Sequence, residues 1–300
     1  MRKVVNIIIT IVLICVVLIV YFKIDVISQA VSNIFSDKKE IHIPQANEYK
    51  KNYNFINLNN EEVFYPYNKD DLSDIFFTIF NSGWEEFSFY CPKEYKSCIE
   101  DTKSIIDDES YMNMLNNYVS PFNGFKSINV RVSSSGEIIT NVDKNYTIDE
   151  INSVNKKVDE ILEETIIDSY STSDKIRILH NYIIKNSVYD RDRADKKESI
   201  YKSNKAVGAL LEGHAVCSGY SDALAIFLDR LHIENLKVAT SNHVWNLIKV
   251  DGLWKHVDLT WDDATSGYGI NNFLLIDTKK LLSLDDKEHN FDKSFYVEAN

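Results

Sequence analysis

Apolar positions along the chain recur first as an unbroken run, then at helical spacing, and then in alternation. Val4 to Phe22 is apolar apart from Asn6, Thr10 and Cys15. Nineteen residues rising about 1.5 Å each span about 28 Å, one hydrocarbon core. With Arg2 and Lys3 before it, the run predicts a transmembrane anchor over residues 1–23 and places the rest of the chain outside the cell. Ser28-Gln29-Ala30 has the small-x-small spacing of a cleavage site, so a signal segment removed near Ala30, giving a secreted protein, is the competing reading. Residues 24–60 are polar, carry Pro44 and lack an apolar period, which predicts a linker.

Residues 61–146 predict a small α/β domain. Leu72, Ile75, Phe76, Ile79 and Phe80 follow a helical spacing, and Met112 to Tyr118 is helical up to Pro121. Glu86 to Tyr90 predicts a strand. Ile128, Val130 and Val132 alternate with polar residues, Ser133 to Gly136 turns the chain, and Ile138, Thr140 and Val142 return. All four prolines fall at or before residue 121, a shift that separates this part from residues 147–300. There, Thr147 and Glu150 have capping-box spacing, and Ile151, Val154, Val158, Ile161 and Leu162 line one helix face. A second helix starts near Ser173, with Ile176, Leu179, Tyr182 and Ile183 inward. Arg191 to Lys205 is a run of mixed charge and predicts a solvated loop, with a mobile lid over a site as the rarer reading.

The next stretch carries candidate chemistry. Gly213 and Gly219 bracket Cys217, and from Tyr220 to Leu231 apolar residues follow a helical period. Cys217 therefore stands where a loop feeds a helix, and the unpaired amides and positive dipole end there favour a thiolate. Further on, Asp251-Gly252 is a strong two-residue hairpin turn between His243–Val250 and Leu253–Asp258. That turn sets Val250 opposite Leu253, Trp245 opposite Asp258 and His243 opposite Thr260. His243 and Asp258 become diagonal neighbours on one sheet face, within reach of each other's side chains. The opposite face holds Val244, Ile248, Val250, Leu253, Val257 and Leu259, a core face that a one-residue slip would expose. A thiol, an imidazole and a carboxylate are the parts of an activated cysteine nucleophile. Trp245, Trp254 and Trp261 are assigned to packing, and His214 and His256 to neighbouring roles without chemistry.

Charge and cysteines narrow the class. The net charge of −12 over 300 residues argues against nucleic acid, whose phosphates need a basic footprint. Cys15 lies within the anchor. Cys91 and Cys98 either bond to each other, as the outside of a cell permits, or remain two thiols. Cys217 is left without an evident partner.

The segments Ala215-Val216-Cys217-Ser218-Gly219-Tyr220-Ser221, His243-Val244-Trp245-Asn246 and Gly252 to Asp263, flanked by Tyr189-Asp190 and Asn272 to Leu275, together resemble the transglutaminase-like superfamily. The resemblance covers about residues 165–290. It implies an α+β fold, a papain-related core in which the cysteine-bearing helix packs on an antiparallel sheet. It also implies Cys217 as nucleophile, His243 as general base and acid, and Asp258 as the residue orienting the imidazole. Ser218 stands where bacterial relatives often carry glutamine, and His214 where a basic or small residue is commoner. The oxyanion donor is then the Cys217 amide before Tyr189. No cofactor and no metal are expected, and calcium dependence does not carry over. The implied activity is acyl transfer on amides through a thioester, ending in hydrolysis or in transamidation. A protein or peptide of the cell surface or cell wall is the expected substrate. The alternative is a non-catalytic cell-surface binding module that keeps the fold.

Overall fold

The computed structural model describes residues 41–52, 58, 64–134, 136–265 and 272–300. The predicted anchor lies outside the described residues. Among those described, no helix is long and apolar enough to cross a membrane. Residues 43–300 cluster as one unit, and the boundary expected between residues 146 and 147 falls inside it.

Among the described residues, the first half holds helices α1 (Lys69–Asn81), α2 (Cys98–Ile106) and α3 (Glu109–Tyr118), and strands β1 (Glu86–Tyr90), β2 (Phe125–Val132) and β3 (Glu137–Lys144). The strands form an antiparallel sheet in the order β1-β3-β2. Leu72, Ile75, Phe76, Ile79 and Phe80 on α1 are buried, as their period requires. Helix α2 has three buried positions in nine residues, too few to give a readable period. Cys91 and Cys98 are joined by a disulfide, which ties the end of β1 to the start of α2.

The stretch expected to be a linker is packed where it is described. Asn47 N–H donates to Ser82 O at 3.0 Å. Lys51 is buried, its amide held by Asn81 Oδ1 at 2.9 Å. Its ammonium meets Asp229 at 3.0 Å and Asn235 O at 3.2 Å. A polar sequence without apolar period gave no sign of this, because the contacts are hydrogen bonds to distant residues.

In the second half, α4 (Ile148–Thr165) starts at a capping box: the Thr147 side chain accepts from the Glu150 amide and the Glu150 side chain from the Thr147 amide. Helix α5 (Thr172–Asn186) is capped by Ser171. The expected loop at 191–205 begins instead with a short helix, α6 (Arg191–Lys196). Asp190 caps it, accepting from the Arg193 amide at 3.1 Å, and Lys197 ends it at φ 57°. Mixed charge hid this helix because it buries none of its residues.

Strands β4 (Val188–Tyr189) and β5 (His214–Ala215) form a parallel pair that leads into α7 (Cys217–Arg230). Four antiparallel strands follow in consecutive order: β6 (Asn235–Ala239), β7 (Val244–Val250), β8 (Leu253–Val257) and β9 (Leu274–Ile276). Helices α8 (Leu259–Asp262) and α9 (Thr278–Leu284) flank β9 in the chain. Helix α7 presents Tyr220, Ala223, Leu224 and Phe227 to one core with Ile248, Val250, Val257 and Leu259 of the sheet region, the inner faces of α4 and α5, and Phe122 and Tyr146 of the first half.

The β7–β8 hairpin has the predicted register, Val250 opposite Leu253 through Asn246 opposite Val257. Asp251 and Gly252 both have positive φ, 51° and 80°, the two-residue turn that matches strand twist. The ladder stops at Val257. The expected pairs Trp245–Asp258 and His243–Thr260 do not form, because Asp258 caps α8 and turns the chain out of the strand. Leu253, assigned to the core face, is 50% exposed at the turn.

One buried acid holds α7 in that core. Asp222 accepts from Tyr146 Oη at 2.7 Å and from Lys237 Nζ of β6 at 2.7 Å. Tyr146 Oη in turn accepts from the Ala206 amide. Asp222→Ala would leave a nearly buried ammonium and a buried phenol without their anion. The expected loss is about 3–5 kcal/mol of unfolding free energy, read from urea midpoints against wild type.

Candidate active site

Cys217 opens α7, and the backbone before it is fixed on two sides. Val188 N–H donates to Gly213 O and Asp190 N–H to Ala215 O, both at 2.9 Å; Val216 N–H donates to Ser203 O at 2.9 Å. Gly219 lets the first turn press on the same loop: a Cβ there would stand 2.2 Å from Ser203 O. No side chain caps α7 and its first turn carries no acid. The amides of that turn have no acceptor within the helix. Cys217 is a free thiol, half-buried.

His243 immediately precedes β7, and its carbonyl accepts from Thr240 N–H at 2.9 Å. Its Nε2 lies 2.6 Å from Asp258 Oδ2. The Cys217 thiol is near enough to the same imidazole to add to the pull on its proton. The three residues that the sequence picked out therefore meet. Asn246, three positions on from His243, links the two elements: its Nδ2 donates to Ser221 O of α7 at 2.9 Å.

Asp258 is 1% exposed. Its Oδ1 accepts from the amides of Thr260 at 2.9 Å and Trp261 at 3.3 Å. Its Oδ2 takes His243 and, at 2.9 Å, His289 Nε2. Burial opposes ionisation of this carboxyl, but the charge and hydrogen bond of His243 and the bond from His289 outweigh it and hold it well below the usual range. Burial likewise opposes a charged His243. The negative charge and hydrogen bond of Asp258 prevail, with a smaller contribution from Cys217, and raise it to about 10.

Trp245 stacks near His243, ring centres 5.6 Å apart at 19°. Its indole N–H donates to His256 Nδ1 at 3.0 Å. An indole only donates, so His256 Nδ1 accepts and Nε2 carries the proton that reaches Thr278 Oγ1 at 2.9 Å. Burial, then the nearby His289, press His256 down to about 3, so it stays neutral. His256 thus fixes the tryptophan that stacks near His243. The other acids of the same motif have holding roles. Asp262 accepts from His180 Nε2 at 3.0 Å and from the amides of Asn272 and Phe273. Asp263 accepts from Tyr220 Oη of α7 and from the Thr265 amide at 2.7 Å.

His289 and Asp285 were absent from the sequence-based assignment. His289 sits in a polar, aperiodic stretch 31 positions from Asp258, and no local pattern marks it. Among the described residues, His243, Asp258 and His289 bring ligand-type atoms within 4.8 Å of one another. Two imidazoles converge there on one carboxylate oxygen, Asp258 Oδ2. A cleft of about 820 Å³ lies against β4 and β5, lined by Tyr189, Arg191, Ile200, Tyr201 and His214 among others. The Tyr189 amide donates to Thr265 Oγ1 at 2.8 Å, so its backbone does not serve as an oxyanion donor.

No protein-family model matches the chain, and no curated protein matches it. Solved structures that resemble it in part include the following two. One is a TGase, 16% identical, aligned over 46% of this chain and 44% of its own, with a TM-score of 0.34. The other is "a putative cysteine protease from Cytophaga hutchinsonii", 12% identical, aligned over 45% of this chain and 62% of its own, with a TM-score of 0.28.

The His243–Asp258 pair makes stability pH-dependent in a defined window. His243, raised from 6.5 to about 10, stabilises fully below 6.5 and loses that contribution as pH rises toward about 10. Asp258, lowered from 3.8, contributes above 3.8 and loses it as pH falls through its folded value. The stabilisation is therefore greatest between 3.8 and 6.5. Asp258→Asn should cost most in that interval, and its cost should shrink toward pH 10, in denaturant titrations at stepped pH. Nitrogen NMR of His243 should show the charged ring at neutral pH in wild type and the neutral ring in Asp258→Asn. Gly219→Ala should destabilise by about 1–3 kcal/mol through overpacking against Ser203, measured by thermal or urea unfolding.

Proposed function

We propose that this protein is a thiol-dependent acyl-transfer enzyme acting on amide carbonyls, with Cys217 as nucleophile, His243 as base and acid, and Asp258 as orienting carboxylate. The observation that carries the reading is the single imidazole bonded at Nε2 to a buried, ionised Asp258 and contacted by the Cys217 thiol. A histidine raised to about 10 keeps its proton at neutral pH, so a charged imidazolium stands beside the thiol.

The steps balance as follows. The Cys217 thiolate attacks the amide carbon, and electrons move onto the carbonyl oxygen. The first-turn amides of α7, led by that of Cys217, face the developing oxyanion. The C–N bond breaks as His243 gives its proton to the leaving amine or ammonia, which leaves a thioester. His243, now neutral, takes a proton from water or from an incoming amine. Collapse of the second tetrahedral species releases acid or new amide and restores the pair.

The acidic chain, with its net charge of −12, suits a protein or peptide carrying basic groups. The apolar run Val4–Phe22 supports placement as a single-pass membrane protein with its globular part outside, where cell-surface or cell-wall peptides are within reach.

Iodoacetamide near neutral pH should alkylate Cys217 much faster than an unstructured thiol, by about 10-fold or more given the thiolate fraction of an unperturbed cysteine. Cys217→Ala should abolish the labelling. His243→Ala should bring the rate down to that of an ordinary buried cysteine, and an unchanged rate would rule out the relay. Incorporation of a fluorescent amine into a glutamine-bearing protein, measured beside peptide release, separates transamidation from hydrolysis.

A further inference from the structure

His289 is the titratable group set most deeply against the three residues above, and the mechanism does not use it. Its side chain is fully buried. Nε2 lies 2.9 Å from Asp258 Oδ2 and Nδ1 lies 2.9 Å from Asp285 Oδ2. Phe273 stacks on it at 5.3 Å and 18°, while Trp245 and Trp261 meet it edge-on at 4.8 and 4.9 Å. The ring plane is thereby fixed, with each nitrogen aimed at a carboxylate.

Both carboxyls stand below their ordinary range. For Asp285, burial opposes ionisation, but the hydrogen bond from His289 and the amides of Glu288 and Lys287 outweigh it. Asp258 is held ionised by the contacts already given. An ionised carboxylate can only accept. A neutral imidazole has one donor and one acceptor nitrogen, so it would point a lone pair at one of the two anions. Only a ring protonated on both nitrogens satisfies both contacts.

We propose that His289, held as an imidazolium between Asp258 and Asp285, is a positioning residue that extends the relay to Cys217–His243–Asp258–His289–Asp285 and sets the pH range in which the thiol reacts. The proposal rests on the assignment of Cys217 as nucleophile. Its physical content is a fixed cation behind the orienting carboxylate. The ring centres of His289 and His243 are 5.1 Å apart. A positive charge at that distance partly offsets the pull of Asp258 on the His243 proton and favours the thiolate. The charged and titratable groups around it are His243 and Asp258 on one side, Asp285 on the other and His256 behind Trp245, with Asp277 beyond His256. Removing the cation makes His243 and Cys217 both hold their protons more tightly.

Wild type, His289→Gln and Asp285→Asn decide the matter with two readouts, nitrogen NMR of the His289 ring and the pH profile of Cys217 alkylation by iodoacetamide. In wild type at neutral pH both ring nitrogens of His289 should show protonated shifts. In Asp285→Asn one of them should move to the unprotonated range. In His289→Gln the acid-side midpoint of alkylation should move up by about one pH unit, the size of shift a charge within a few ångströms produces. A role confined to packing would lower the rate at every pH and leave the midpoint in place. A neutral His289 ring in wild type overturns the proposal, as does an unmoved midpoint in folded His289→Gln. Should His289→Gln not fold, the ring measurements in wild type and Asp285→Asn decide alone. Slow, His243-independent alkylation in wild type would count against the nucleophile assignment instead, and the ring shifts of His289 report separately.

Discussion

A buried, ionised carboxylate is costly unless every lone pair is met, and Asp258 is the group on which the site depends. Four donors meet it: two amides of the helix it caps and two imidazoles. Each donor comes from a structural decision elsewhere in the chain. The amides require β8 to stop at Val257 and turn into α8. The first imidazole requires β7 to begin just after His243, and the second requires the C-terminal stretch to cross back over the sheet. Desolvation makes the arrangement all-or-nothing, because a missing donor leaves a charge that a dry pocket cannot solvate.

Cys217 is held in place by a different set of contacts. Asn246 ties α7 to the histidine strand. Tyr220 ties it to Asp263, and Asp222 ties it to Tyr146 and Lys237. Gly219 allows the loop at Ser203 to lie against the first turn. Sulfur and imidazole therefore sit on two rigid elements joined at several points, and little reorganisation is needed for proton transfer between them.

Three buried histidines around one tryptophan show how environment assigns protonation. His243 is charged because an anion bonds to it directly. His256 is neutral because its partners are an indole donor and a hydroxyl, and burial is left unopposed. His289 lies between two carboxylates. The same side chain stands in three different settings, and only the neighbours differ.

Local patterns in the sequence determined the parts that short-range physics governs. The Asp251-Gly252 turn and the alternation around it specify the hairpin register that brings His243 near Asp258, and the capping box specifies where α4 begins. Helical periods located α1, α4, α5 and α7, with Cys217 at the start of the last. Tertiary structure decided what depends on distant partners. Asp258 ends a strand instead of extending it, the 41–52 stretch packs against Asn81 and Asn235, and Cys91 reaches Cys98. His289 and Asp285 come to the site from a segment with no period of its own. The reason is one of range. Turn dihedrals, caps and apolar spacing act between residues a few positions apart and so leave a trace in the sequence. Hydrogen bonds to a buried charge are set by where the whole chain runs, and polar residues far apart in sequence carry no mark of meeting.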